Sequence, residues 1–334
     1  MRNHEPKTAE YLVRKTAPYY HTVKGAAYLG DALQLLETVR DETIDLIVTS
    51  PPFALVFQKR YKLAPDFVDA QHYLDWFMPI AREFHRVLKK DGSLVLHLGG
   101  SWNPAYPTKS LYNFEVLTEL CKNDYFSLAQ DFYWFNPAKM PSPIEWTNVR
   151  RIRVKDAVEP IWWLSKDSKG RTKARNTRVL IEYTKSMLKL LERGSYSSGQ
   201  RPSGYNISRA GFLHKNRGAI PPNLVPYPNM LPFSNTESNG AYLSNCKKYD
   251  MVHPARFPIM VPEFFIRFLT TRKSQVVLDA FAGSNSTGYA AEKLGRKWLA
   301  FEKSEEYLKG SMFRFFGPRE VEKMWSKDRV RSGA

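Results

Sequence analysis

Hydrophobic positions along the chain fall into two kinds of pattern. The run Ile44 to Thr49 is mostly apolar and stops at Ser50-Pro51-Pro52, which predicts a buried strand ended by the proline pair. Ser93–Leu98, Phe126–Phe135, Val158–Leu164, Val276–Asp279 and Trp298–Glu302 read as further strands. Between them, Tyr73, Phe77, Ile80, Phe84, Val87 and Leu88 recur at helical spacing, and Asp91-Gly92 is expected to stop that helix. Helices are also predicted at Tyr112–Lys122, Pro262–Leu269 and Thr287–Leu294, with a short one opening at Gly30-Asp31-Ala32-Leu33 and ending before Asp41. Alternating strands and helices predict an α/β fold with a mainly parallel sheet.

Some stretches lack this periodicity. Residues 1–27 read as a polar arm, and Gln58 to Ala70 as a loop exposing Lys59, Arg60 and Lys62. Near Ser165 the composition shifts to Gly, Ser, Asn, Pro and Arg, with one helix expected around Thr177 to Arg193. The expected organisation is one discontinuous domain, residues 28–164 and 251–318, interrupted by an insert at 165–250 and followed by a tail at 319–334.

Composition narrows the partner. Of 334 residues, 50 are basic and 33 acidic, a net charge of +17, and the pI is near 9.7. That excess favours a polyanion, although ribosome-associated and membrane-surface proteins share it. Cys121 and Cys246 are too few for a disulfide framework or a metal site, and the histidines show no ligand spacing. No apolar stretch approaches the roughly 20 residues of a membrane helix, and the N-terminus lacks a signal core. A cytoplasmic protein without a metal is expected.

Phe281-Ala282-Gly283-Ser284-Asn285-Ser286-Thr287 follows a strand and opens a helix. Gly283 permits a tight turn and close backbone approach to a ligand. Glu302 ends the next strand, 23 residues beyond Asp279, where a carboxylate can accept hydrogen bonds from ribose hydroxyls. The pattern suits a nicotinamide cofactor or S-adenosylmethionine, and equally an ordinary strand–helix turn with a capping hydroxyl. A full Gly-x-Gly-x-x-Gly is absent, and so is a phosphate-binding Gly-Lys-Ser/Thr.

Ser50-Pro51-Pro52-Phe53 suits chemistry on a conjugated amine. The lone pair of a nucleobase amine is delocalised into the ring, which makes the nitrogen a poor nucleophile. Two acceptors aimed at its hydrogens, the Ser50 hydroxyl and the Pro51 carbonyl, favour a tetrahedral nitrogen with its lone pair free. Paired prolines preorganise both acceptors, and Phe53 offers a face on which an extruded base can stack. By itself the motif is also an ordinary proline-rich strand end.

Taken together, Thr49-Ser-Pro-Pro-Phe53, His253-Pro-Ala-Arg-Phe-Pro258 and Phe281–Thr287 resemble the catalytic, cofactor-helix and cofactor-loop motifs of the β-group amino-methyltransferases, in that group's order. The resemblance runs from about Tyr28 to Pro318. It is nearest to the cytosine-N4 enzymes of type II restriction–modification systems. It implies a doubly wound, mixed seven-stranded sheet with an inserted target-recognition region at 165–250. It implies S-adenosylmethionine at Asp31, Phe257, Asp279, Phe281 to Thr287 and Glu302. Asp131-Phe-Tyr-Trp-Phe-Asn-Pro137 is similar to the motif lining the target-base pocket, with Trp134 and Phe135 beside Phe53. Ser50 favours cytosine, since adenine-N6 members usually carry Asp or Asn there. Cytosine-C5 chemistry needs a thiolate, and neither cysteine follows a proline at a strand end.

Between Arg150 and Arg193 stand 13 basic and five acidic residues. That density suits phosphate neutralisation, with Arg150, Arg151, Arg153, Lys173 and Arg175 as candidates, although part of it is solvated charge. Arg201, Lys215 and Arg217 lie in polar segments able to present side chains to base edges. His97 is either a packed or hydrogen-bonded histidine or an acceptor for the proton lost on methylation. The expectation is a site-specific methyltransferase acting on double-stranded DNA by base flipping. No obligate protein partner is expected, and the link to a cognate restriction endonuclease is genetic. An adenine-N6 enzyme, a catalytically silent nucleic-acid binder of the same fold and a dehydrogenase are the alternatives.

Overall fold

Buried apolar runs that end at turn signals become the strands of one large sheet. The computed structural model describes residues 9–54, 69–122, 125–136, 139–225, 240–254, 256 and 258–332. Lys59, Arg60, Lys62 and Phe257 lie outside the described residues. The strands are β1 (Tyr20–His21), β2 (Gly25–Leu29), β3 (Ile44–Thr49), β4 (Leu88–His97), β5 (Ser127–Phe135), β6 (Val158–Ser165), β7 (Gly199–Gln200), β8 (Asn206–Ile207), β9 (Leu224–Val225), β10 (Val276–Asp279) and β11 (Lys297–Glu302). The helices are α1 (Ala32–Thr38), α2 (Ala70–Val87), α3 (Tyr112–Cys121), α4 (Lys185–Arg193), α5 (Ala241–Lys248), α6 (Met260–Leu269), α7 (Ser286–Lys293), α8 (Glu305–Ser311) and α9 (Pro318–Ser332). Among the described residues no helix is long and apolar enough to cross a membrane.

The sheet has nine strands in the order β1-β2-β11-β10-β3-β4-β6-β5-β9. Seven were expected. The difference is β1 and β9, two-residue strands at the two edges. Strands β2, β11, β10, β3 and β4 run parallel, while β6 is antiparallel to both β4 and β5. Adjacent residues on a strand face opposite sides. Trp162 meets Phe114 of α3, and Trp163 meets Phe268 of α6. Helices therefore cover both faces, as a doubly wound sheet requires.

Helix α2 leads from β3 to β4, whereas α7 leads from β10 to β11 on the other side of the β10–β3 boundary. The winding reverses there, which opens a crevice at the C-terminal ends of those two strands. Thr49 donates a hydrogen bond of 2.8 Å to Asp279 across it.

Several boundaries differ from the sequence reading. The polar arm supplies β1 and most of β2, because Tyr20 and residues 25–28 pack inside. Strand β4 begins at Leu88, and Asp91-Gly92 forms an irregularity within it: Leu88 pairs with Ile44, and pairing resumes at Ser93 with Leu46. The helix expected from Thr177 starts only at Lys185, capped by Thr184, because Ile181 bridges to Ala219 instead. The tail is helical, with Pro318 at a first position that needs no N–H.

The chain divides into two compact units, Met1–Ala174 with Asn223–Ala334, and Arg175–Pro222. The second is narrower than the insert expected at 165–250. Lys173 is tied to Asp45 and Asp91, and Asn223 accepts the Tyr133 amide. Lys173 and Asn223, at the two borders of the small unit, are therefore each tied to the sheet. Within the small unit, α4 is closed by Gly194 in the left-handed conformation. Strands β7 and β8 form a hairpin, beside which Tyr196 packs on Phe212.

Candidate active site

Strand β3 is buried along its whole length, so Ser50 emerges where the chain first meets the crevice. The Tyr73 hydroxyl donates to the Pro52 carbonyl at 2.9 Å, which fixes the proline turn to α2. Phe53 lies over the end of β4: a side chain at Gly99 would come within 2.5 Å of its ring. The rings of Phe53 and Trp134 each meet His97 edge-on at 5.3 Å. Phe53, Trp134 and Ser50 are therefore gathered around one histidine. Alternation along β5 turns Phe135 to the opposite face from Trp134.

His97 is both packed and hydrogen-bonded. It is 3% exposed. Its Nδ1 is 3.0 Å from Ser50 Oγ and its Nε2 is 2.8 Å from Glu159 Oε2. Lys139 donates to the other Glu159 oxygen at 2.6 Å. Burial alone would raise the Glu159 carboxyl, but His97 and Lys139 outweigh it and hold the group well below the usual carboxylate range. Sequence reasoning missed Glu159 and Lys139. Glu159 reaches His97 only because β6 lies antiparallel beside β4.

At the other wall, Gly283 has φ +50°, and a Cβ there would come within 2.8 Å of the His253 ring. A glycine is thus required by backbone and space together, and His253 of the cofactor-helix motif backs the loop. The Gly283 and Ser304 amides donate to the two Glu302 oxygens at 2.7 and 2.8 Å. Burial raises the Glu302 carboxyl, those amides oppose it, and nearby Asp279 raises it further. Phe281 packs on Trp76 of α2.

The remaining loop side chains face inward. Ser284 and Ser286 hydroxyls each accept from Arg314 at 3.1 Å. Asn285 caps α7 and donates to the Tyr20 hydroxyl at 2.9 Å. Ala282 and Thr287 are buried. These residues hold the loop in shape, while Phe281, the Gly283 backbone, Asp279 and Glu302 border the crevice. Arg314, missed in the sequence, also lies over the Tyr242 ring at 4.1 Å. Asp31 caps α1 through Leu33, and its second oxygen is 3.4 Å from Lys303. Hydrogen bonding of Gly30 to the Glu302 carbonyl puts it beside that strand end.

The basic candidates divide. Lys173 binds Asp45 and Asp91 at 2.9 and 2.6 Å, at the opposite end of β3 from Ser50. It is structural and is not presented to a phosphate. Arg153 is held by the Pro107 carbonyl and Asp156. Arg150 is paired with Glu145 over Trp146, and Arg151 is exposed beside it. In the small unit Arg175, Lys215 and Arg217 are exposed, and Arg201 donates to the Ser197 carbonyl.

A proline-fixed hydroxyl and a glycine loop backed by two carboxylates, meeting at the switch point of a doubly wound sheet, define a methyltransferase-type α/β enzyme. The chain belongs to the N6/N4 DNA methylase family, whose model matches residues 44–313. It is 48% identical over 301 residues to the type II methyltransferase M.PvuII of Proteus hauseri, covering 89% of this chain and 85% of that one. The solved structure of the PvuII DNA methyltransferase, described as cytosine-N4-specific, superposes with a TM-score of 0.72 at 41% identity, covering 94% and 95% of the two chains. The DNA adenine methyltransferase YhdJ of Escherichia coli K12 is 24% identical, covering 84% and 79%.

Proposed function

We propose that this protein transfers a methyl group from S-adenosylmethionine to N4 of a flipped-out cytosine within a short site in double-stranded DNA. The observation that carries the reading is the meeting of Ser50 and the Phe281–Gly283 loop across the crevice joined by Thr49 and Asp279. The similarity to the cytosine-N4-specific enzyme supports the choice of base.

The donor set fits the cofactor. Asp279 is 5% exposed, and burial pushes its carboxyl up to about 6 while the Thr287 and Thr49 hydroxyls and the Phe281 amide oppose that. A buried carboxyl with neutral partners suits a cationic ligand group, and Glu302 suits ribose hydroxyls. When bound, the cofactor supplies an electrophilic methyl carbon on its sulfonium. Ser50 Oγ and the Pro51 carbonyl accept the amine hydrogens and turn the nitrogen lone pair outward, while Phe53 and Trp134 flank the base. Arg151, Arg175, Lys215 and Arg217 are the exposed cations assigned to DNA. The cellular role is cytoplasmic protection of the site from a cognate endonuclease, with no obligate protein partner.

Labelled methyl transfer to DNA, followed by nucleoside analysis, tests this. The expected product is N4-methylcytosine. N6-methyladenine alone would overturn the base assignment, and cofactor binding without transfer would overturn the activity.

A further inference from the structure

We infer that Glu159, braced by Lys139, is a positioning residue that sets the His97 tautomer so that His97 takes the Ser50 proton during amine methylation. The inference rests on the proposed function and adds two residues to it.

The groups form one connected series: Ser50 Oγ, His97 Nδ1 at 3.0 Å, His97 Nε2 to Glu159 at 2.8 Å, and Glu159 to Lys139 at 2.6 Å. An ionised carboxylate only accepts hydrogen bonds, so the His97 nitrogen facing Glu159 carries a proton. In the neutral ring the other nitrogen, Nδ1, is then an acceptor. The Ser50 hydroxyl must donate to it, which leaves the Oγ lone pairs for the substrate amine. Protonation of His97 reverses this: Nδ1 then donates to Oγ and competes with the amine. Among the described residues, charged groups against the ring include Glu159 from β6 and, through it, Lys139 from the loop after β5. Ser50, Phe53 and Trp134 supply the uncharged contacts.

The proton balance closes on the same atoms. The amine nitrogen gains the methyl carbon, the carbon–sulfur electron pair stays on sulfur, and the nitrogen becomes cationic and acidic. It gives one proton to Ser50 Oγ as the Ser50 proton passes to His97 Nδ1. The positive charge thus ends on an imidazolium 2.8 Å from the Glu159 carboxylate. Glu159 is therefore most valuable after the proton has moved, and it stabilises the transition state more than the ground state.

Two measurements test the assignment. Nitrogen-15 NMR of histidine-labelled protein without cofactor or DNA should show His97 protonated at Nε2 and not at Nδ1 in mild alkali. The Nδ1–H tautomer in the wild type would overturn the inference and leave the proposed function standing. Single-turnover methylation by Glu159→Gln, which keeps an acceptor but removes the charge, should fall roughly ten- to a hundredfold. DNA and cofactor affinities should stay near wild type. The same NMR measurement on Glu159→Gln should show a weaker preference for the Nε2–H tautomer, because a Gln amide can donate as well as accept. A Glu159→Gln enzyme with wild-type rate and wild-type tautomer preference would refute the relay. A wild-type enzyme with the expected tautomer but no methyl transfer would instead refute the functional reading on which the relay rests.

Discussion

Replacing Asp279 with Asn should stabilise the protein at neutral pH more than in acid. Burial raises this carboxyl from 3.8 to about 6. For an acid, a raised native value means that the folded state holds the proton more tightly than the unfolded chain. The resulting penalty is absent well below pH 3.8, grows as pH rises and is complete above about pH 6. At about 1.36 kcal/mol per unit, the gap corresponds to roughly 3 kcal/mol, of which about 1.5 kcal/mol develops between pH 5 and 8. Asn keeps an oxygen for the Thr49 hydroxyl and the Phe281 amide, which both bond Oδ1 in the wild type. It also removes the charge that raises Glu302, an effect of the same sign. The new amide hydrogens add an offset that does not vary with pH, so the test is the change in the difference between the two proteins. Thermal unfolding of both without cofactor at pH 5, 6, 7 and 8 provides it. At roughly 2.1 cal/mol/K of unfolding entropy per residue, a chain of 334 residues shifts by about 1.4 °C per kcal/mol, so the gap in Tm should widen by roughly 2 °C from pH 5 to pH 8. A gap constant across that range would show that the Asp279 carboxyl is not the titrating burden argued here.

Three further outcomes follow from the same geometry. Gly283→Ala meets both a left-handed backbone and the His253 ring, so calorimetry should show weaker S-adenosylmethionine binding and denaturation a loss of about 1–3 kcal/mol; a neutral result would remove His253 as the backing of the loop. Glu302→Ala should weaken cofactor binding by roughly 1.5–3 kcal/mol, and unchanged affinity in a folded variant would take Glu302 out of the site. Ser50→Ala should lower single-turnover methylation about a hundredfold with DNA affinity retained, whereas Phe53→Ala should weaken capture of the flipped base and Phe53→Tyr retain activity; a Ser50→Ala enzyme at wild-type rate would contradict the amine mechanism.

What the sequence by itself determined were features written in consecutive residues. The buried run Ile44–Thr49 stops where Pro51 and Pro52 forbid a further strand, and Val276–Asp279 opens into a loop whose Gly283 satisfies a local backbone demand. Strand length, helical spacing and turn chemistry act over a few residues, so these elements and the order of the motifs were legible. Tertiary structure decided which of the residues do chemistry together. Thr49 meets Asp279 only because β3 and β10 pair at the reversal of the sheet. Glu159 reaches His97 only because β6 runs antiparallel beside β4. Lys173, one basic residue among many in the sequence, lies at the far end of β3 and is bound to Asp45 and Asp91. Ser284, Asn285 and Ser286, which look like ligand contacts in a line of text, turn inward to Arg314 and Tyr20. The direction of a side chain and the partner of a buried charge depend on strand neighbours far apart in sequence, and no local pattern encodes that pairing.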